Sequence, residues 1–279
     1  MAKKAKKECP FTTRMVREME LVKRTAIALQ YKLEIGLLKP SKRMQQNIVN
    51  LSYGMSAKMI FVLSLSTSNI GNCNCEKNKN IPGSICQKCF ADSVENQYNA
   101  LHENNMHNLE VLSSNILPYA DIMAIAKEVV EALIKNGTHL FRLESFGDLA
   151  NVTHCVNYIR LCSYISQYAE ERNYPVSIAW WTKQYHLFEN AVTFITDKDM
   201  QYFRKDTNVI LSSLFIGVEV PRAAIEKVER WIGMKVKVFT VYNLPETHEK
   251  INCGARSCTL CQRCYTKQNY TEYVAEALK

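Results

Sequence analysis

The sequence predicts an α/β fold: a parallel sheet or partial (β/α) barrel with a helical N-terminal arm and a C-terminal cysteine-rich loop. Three observations carry this expectation. From Thr138 onward, short β-branched and aromatic runs alternate with longer amphipathic stretches, the pattern of a parallel sheet covered by helices. The 279 residues suffice for one large α/β domain. Hydrophobic residues make up 47% and charged residues 22%, values of a folded chain rather than a disordered one.

The first segment, 1–57, reads as a basic helical arm. Arg14 to Leu38 has helical character and Pro40 closes it. Lys3, Lys4, Lys6, Lys7, Arg14, Arg17, Lys23 and Arg24 concentrate here part of a formal net charge of +8. Such a stretch can contact nucleic acid or form the solvated face of a helix. No apolar stretch of the secretion-signal kind follows the lysines. No run reaches the roughly 20 apolar residues of a membrane span, so a cytoplasmic chain without membrane partners is expected.

The α/β core is expected over 58–250. Lys58 to Ser66 reads as its first strand, and a Gly/Asn/Lys-rich loop from Ser68 to Ser84 follows. A helical pattern then runs from Cys89 to about Asn115, and a second from Ala120 to Lys135 stops at Asn136-Gly137. Strands at Thr138–Leu143, Val176–Trp181, Val209–Phe215 and Val236–Tyr242 alternate with helices at Val152–Glu171, from Gln184, and at Ala223–Trp231, giving five strands with the first. In sheets of this kind ligands gather beyond the carboxyl ends of the strands.

Eleven cysteines are many for a reducing compartment, where disulfides are rare. Within the last segment, 251–279, four of them form Cys253-x4-Cys258-x2-Cys261-x2-Cys264 beside the small residue Gly254. Soft thiolates select zinc, copper(I) or iron–sulfur clusters, and repeated two-residue gaps match runs that ligate [4Fe–4S] clusters. Zinc, the alternative, usually takes two C-x2-C knuckles separated by a longer insert. The other group is Cys73-x-Cys75-x10-Cys86-x2-Cys89, directly after the first strand. The spacings allow two sites or one shared site. Cys155 and Cys162 lie seven apart on an expected helix, and core packing accounts for them.

The remaining candidates lie at strand ends and would bind a small-molecule cofactor. In Phe141-Arg-Leu-Glu-Ser-Phe-Gly-Asp148, Arg142 can pair with a carboxylate or phosphate, and Glu144 adds a further polar group. There Gly147 permits close backbone approach, and Asp148 can accept from an amine or cap the next helix. At the next strand end, Trp181, Thr182 and Lys183 offer an aromatic wall, a hydroxyl and an ammonium, or else core packing with a surface lysine. The six histidines are scattered, and none is assigned catalysis. Phosphate loops, nucleophile elbows and His-Glu-x-x-His helices are absent from the sequence.

Together these residues resemble phage-encoded proteins of the gene product 88-like family. The likeness rests on Cys86-Gln-Lys-Cys-Phe-Ala91 after a strand, Arg142 to Gly147-Asp148, Trp181-Thr182-Lys183, and a cysteine run closing in Cys264-Tyr265. It covers most of the chain after Met59 and implies a phage or prophage origin. A more distant similarity is to radical S-adenosylmethionine enzymes, which place a three-cysteine cluster loop after the first strand of a partial barrel. That similarity implies Cys75, Cys86 and Cys89 as ligands of a cluster with one open iron, where S-adenosylmethionine is chelated. Cys253, Cys258, Cys261 and Cys264 would hold an auxiliary cluster. The spacing differs from that family's C-x3-C-x2-C by the ten-residue gap after Cys75 and by Lys88 before the last cysteine.

Overall fold

Period-two burial organises the sheet. In the computed structural model, which describes residues 49–53, 62–243, 251–253 and 258–277, seven strands are formed: β1 (Leu51–Tyr53), β2 (Leu63–Leu65), β3 (Leu140–Leu143), β4 (Ser177–Thr182), β5 (Thr207–Ser212), β6 (Lys237–Tyr242) and β7 (Glu272–Ala277). Their spatial order equals their chain order. β1 runs antiparallel to β2, and every later pair is parallel.

Parallel crossovers are right-handed, so stepping always in one direction sends the connecting helices to a single face of the sheet. Leu63, Leu65, Phe141, Leu143, Ile178, Trp180, Val209, Leu211 and Val238 bury that outer face. Against it pack α3 (Asn99–Ser114), α4 (Tyr119–Lys135), α5 (Val152–Glu171), α7 (Asp197–Asp206) and α8 (Arg222–Ile232), which follow α1 (Cys73–Lys79) and α2 (Phe90–Gln97) and bracket the one-turn α6 (Phe188–Ala191). Trp180 is fully buried at the centre, its ring within aromatic range of Tyr158, Phe188 and Phe203. The alternate residues Val62, Leu140, Ala179 and Ile210 face the other way and meet Tyr265, Cys258 and Cys264 from the C-terminal segment.

α5 begins where the sequence places it because Asn151 caps it, its side chain accepting from the His154 amide at 2.9 Å. The same side chain donates to the Ser113 carbonyl at 2.9 Å. Asn151→Ala is therefore expected to cost about 1–2 kcal/mol, read as a lower urea midpoint at unchanged slope.

Several expectations need correction. The basic arm expected over 1–57 lies outside the described residues except for 49–53, which include β1. The stretch read as a loop from Ser68 to Ser84 contains α1, started by the Asn72 side chain. The helix expected from Cys89 to Asn115 breaks at Tyr98, whose backbone is extended at φ −123° and ψ 93°. Instead of one helix from Gln184, 3-10 turns at Tyr185–Leu187 and Val192–Phe194 flank α6 before α7 starts. The expected Val209–Phe215 strand is shifted to Thr207–Ser212. β7 makes the C-terminal segment part of the sheet, pairing with β6 along its whole length. Among the described residues no helix is long and apolar enough to cross a membrane.

Candidate functional site

Two polar loops at the carboxyl edge of the sheet build the site. Leaving β2, Ser66 Oγ accepts from the Ser145 and Phe146 amides at 3.1 and 3.3 Å. Thr67 donates its amide to Glu144 Oε2 at 3.1 Å and its hydroxyl to Glu144 Oε1 at 2.9 Å. Gly147 closes the contact: it sits at φ +74°, and a Cβ there would lie 2.4 Å from the Thr67 carbonyl oxygen. The loop after β2 is thus fixed against the loop after β3.

The next contacts place the cysteines. Asn72 caps α1 with its Oδ1, which accepts from the Asn74 and Cys75 amides, while its Nδ2 donates to the Asp148 carbonyl at 2.6 Å. Asn74 Nδ2 holds the Leu149 and Ala150 carbonyls. Farther along, Ser84 Oγ accepts from the Cys86 amide at 3.0 Å, starting the 3-10 turn Ile85–Lys88. The Ile85 amide donates to the Leu214 carbonyl at 2.9 Å, and Ser84 bridges to Phe215. The cysteine loop therefore leaves β2 and is anchored beyond β5, passing the carboxyl ends of β3 and β4.

Cys75, Cys86 and Cys89 are free thiols, whereas Cys73 is disulfide-bonded. The three thiols and Asp148 all act on the Lys183 ammonium: burial opposes its charge, but Asp148, Cys86, Cys75 and Cys89 outweigh that and hold its pKa above the ordinary value. Burial pushes the Cys75 thiol far up, reinforced by Asp148 and opposed by Lys183. Cys86 is raised by burial too, with Lys183 and Ser84 pulling the other way. Asp148 does not cap α5, because Asn151 does. Its Oδ1 accepts from Thr182 Oγ1 at 2.6 Å and from the Leu149 amide at 2.8 Å, and its Oδ2 accepts from the Lys183 amide at 2.9 Å. Burial raises its pKa against those donors.

Glu144 belongs beneath this site rather than in it. It adopts φ +61°, rare for a side chain of its size, and is buried. Besides Thr67, it accepts from the Tyr158 hydroxyl at 2.8 Å, and His154 Nε2 lies 3.5 Å from its Oε1. His154 Nδ1 accepts from the Ala150 amide at 3.2 Å, which leaves the ring proton on the nitrogen facing Glu144. Burial lifts the Glu144 carboxyl to about 8 and drops the His154 imidazole to about 3.

Arg142 points to the inner face, away from the first thiols, with its guanidinium 3.9 Å from the centre of the Trp181 ring. Trp181 in turn meets Tyr265, and Cys258 and Cys264 pack in the same patch. Cys264 is pushed up to about 12 by burial, with Cys253 and Cys258 adding to the rise and Arg142 and Lys237 opposing it. Cys261 is exposed. This group lies toward the amino edge, since the Tyr265 carbonyl accepts from Ser177 Oγ and from Asn208 Nδ2 at the starts of β4 and β5. The two cysteine groups thus occupy separate places, and the shared site is not formed.

The predicted residues divide accordingly. Cys75, Cys86, Cys89, Asp148, Thr182 and Lys183 come together; Gly147 and Glu144 support them; Arg142 joins Cys253, Cys258 and Cys264. Thr67, Asn72, Ser84 and Tyr158 were not singled out by sequence. Asn72 alone had a readable signal there, a capping residue after Gly71. Among the described residues no three Cys, His, Asp or Glu side chains converge closely enough to hold one metal ion. No family model and no curated protein matches this sequence.

Proposed function

We propose that this chain is a phage- or prophage-type iron–sulfur protein, a divergent relative of radical S-adenosylmethionine enzymes. In this reading Cys75, Cys86 and Cys89 hold a [4Fe–4S] cluster. One observation carries it: three free thiols on the loop directly after the first parallel strand all lie within electrostatic reach of the Lys183 ammonium, with the neighbouring Cys73 engaged in a disulfide. The donor set suits the group, for all three are soft sulfur ligands, and Lys183 partly offsets the burial that raises the Cys75 and Cys86 thiols. When bound, such a cluster would be held by Cys75, Cys86 and Cys89 and would supply the electron for reductive cleavage of S-adenosylmethionine. Lys183 offsets the negative charge of the thiolates, and the buried Asp148 is held by Thr182 and two amides. Cys253, Cys258 and Cys264 form a second set of sulfur donors for an auxiliary cluster; burial holds the Cys264 thiol up at about 12, with Arg142 and Lys237 opposing the rise.

Anaerobic purification followed by iron, acid-labile sulfide and zinc analysis tests the reading. Iron and sulfide are expected together, with the Cys75/Cys86/Cys89→Ala variant losing one cluster's share and keeping the other's. Stoichiometric zinc without sulfide removes the cluster and returns the chain to an accessory role with structural metal. With clusters in place, failure to cleave S-adenosylmethionine after reduction leaves electron transfer or structural support alone.

A further inference from the structure

We propose that a cleft beside the end of β6 binds a small aliphatic amine carrying a hydroxyl group, an amino alcohol in chemical class. The site is independent of the cysteine groups and of the cluster reading. Strand parity creates it. Val238 lies in the helix-covered core and Phe239 packs on the inner face, so Thr240 and Tyr242 share the side of Val238. The register sets Tyr273 beside Val238 and Ala275 beside Thr240, which continues the row onto β7. The chain leaving β6 passes to the opposite face, where Cys258, Cys264 and Tyr265 pack. The row is thus left to line a cleft of about 180 Å³ together with Glu219 and Asn252. Both flanks are fixed. The Gly217 amide donates to the Val241 carbonyl at 2.8 Å and Val220 is buried, which holds Glu219 at the cleft from either side. Along β7, the Asn252 amide donates to the Ala275 carbonyl at 3.1 Å, its Oδ1 accepts from the Ala275 amide at 2.9 Å, and its Nδ2 donates to the Tyr273 carbonyl at 2.9 Å.

The chemistry of the lining selects the occupant. Glu219 brings a carboxylate, and no lysine, arginine or histidine is among the described lining residues, so a cation is favoured over an anion. The Tyr242 hydroxyl donates to Glu219 Oε1 at 3.1 Å, which leaves Oε2 to accept from the ligand. An exposed carboxylate alone holds an ammonium weakly; the rings of Tyr242 and Tyr273 add the attraction of aromatic faces for a cation. Thr240 is 3% exposed, and its Oγ1 has no hydrogen-bond partner among the described residues. Buried hydroxyls are ordinarily paired, so this one marks the place of a hydrogen-bonding group on the ligand. An ammonium there would lose its hydration without a countercharge, whereas a hydroxyl can both give and accept. A charged end at Glu219 and a hydroxyl end at Thr240 together define an amino alcohol.

The test is a ligand-observed NMR titration of the full chain with aminobutanol, butanediol and hydroxybutyrate, a series that keeps one hydroxyl and changes the other end from ammonium to neutral to carboxylate. Aminobutanol should bind saturably and the other two at least about tenfold more weakly, the loss expected when a charge-assisted hydrogen bond is removed. Glu219→Gln should bring aminobutanol down to the level of butanediol. Thr240→Val, which keeps the shape of the side chain, should weaken aminobutanol and leave its preference over hydroxybutyrate. Equal binding of the three compounds, absence of saturation, or unchanged aminobutanol affinity in either folded variant overturns the assignment. Should Thr240→Val fail to fold, Glu219→Gln decides, since Glu219 is exposed and its replacement leaves the core untouched.

Discussion

Gly147→Ala is expected to destabilise the protein by roughly 3–5 kcal/mol, far more than Gly137→Ala. Both glycines have positive φ, +74° at Gly147 and +62° at Gly137, so both substitutions meet the left-handed penalty of about 1–2 kcal/mol. They differ in what surrounds the new methyl group. At Gly137 nothing lies within 4 Å, whereas at Gly147 the Thr67 carbonyl oxygen would be 2.4 Å away and its carbon 2.8 Å away. Those are backbone atoms and cannot turn aside as a side chain does. Relief requires the loops after β2 and β3 to part, which breaks the Thr67 bonds to Glu144 and adds overpacking strain of about 1–3 kcal/mol. Urea unfolding of the two variants measures the difference; equal losses would show that the loops are not locked as described.

The second large effect is a pH dependence centred on Glu144. Its carboxyl rises from 4.5 to about 8 through burial, against the donors Tyr158 and Thr67. Between those values the folded protein holds a proton that the unfolded chain releases. Stability from this group is therefore complete below about pH 4.5 and lost as pH rises through about 8, a decline of about 5 kcal/mol. His154, lowered to about 3, tilts the curve the other way below its ordinary value of 6.5. Asp148, also raised by burial, adds to the Glu144 slope. Glu144→Gln has no proton to lose, so the stability of wild type minus variant should fall steadily across this window. A flat difference curve would mean that the carboxyl titrates alike in both states.

How much of this was legible in the string depended on distance along the chain. The run from Val152 to Glu171 is a local signal, and α5 has the expected bounds, although its cap is Asn151 and not Asp148, the capping residue that the sequence offered. β7 was hidden because Glu272-Tyr-Val-Ala-Glu-Ala277 is polar and lies at the sheet edge, where one side needs no apolar cover. The first cysteine group and Asp148, Thr182 and Lys183 were legible as strand-end residues. That the loops carrying them meet was not, because contacts such as Asn72 with Asp148 and Thr67 with Glu144 join residues more than 70 apart in the chain. Arg142 was assigned to the strand end when its parity with Ala179 and Ser64 in the register sets it on the inner face. Alternation could have shown this, since Phe141 and Leu143 are the residues that fill the helix-covered core.

The agreement between strand order and chain order also bears on how the protein is made. A ribosome releases each new strand beside the last one completed, so nothing must be prised apart to admit a latecomer. The sulfur-bearing loop between β2 and β3 emerges early, yet its anchor at Leu214 is synthesised more than a hundred residues later. Closure of that loop is thereby placed late in biogenesis, after the β5 end of the sheet has been laid down.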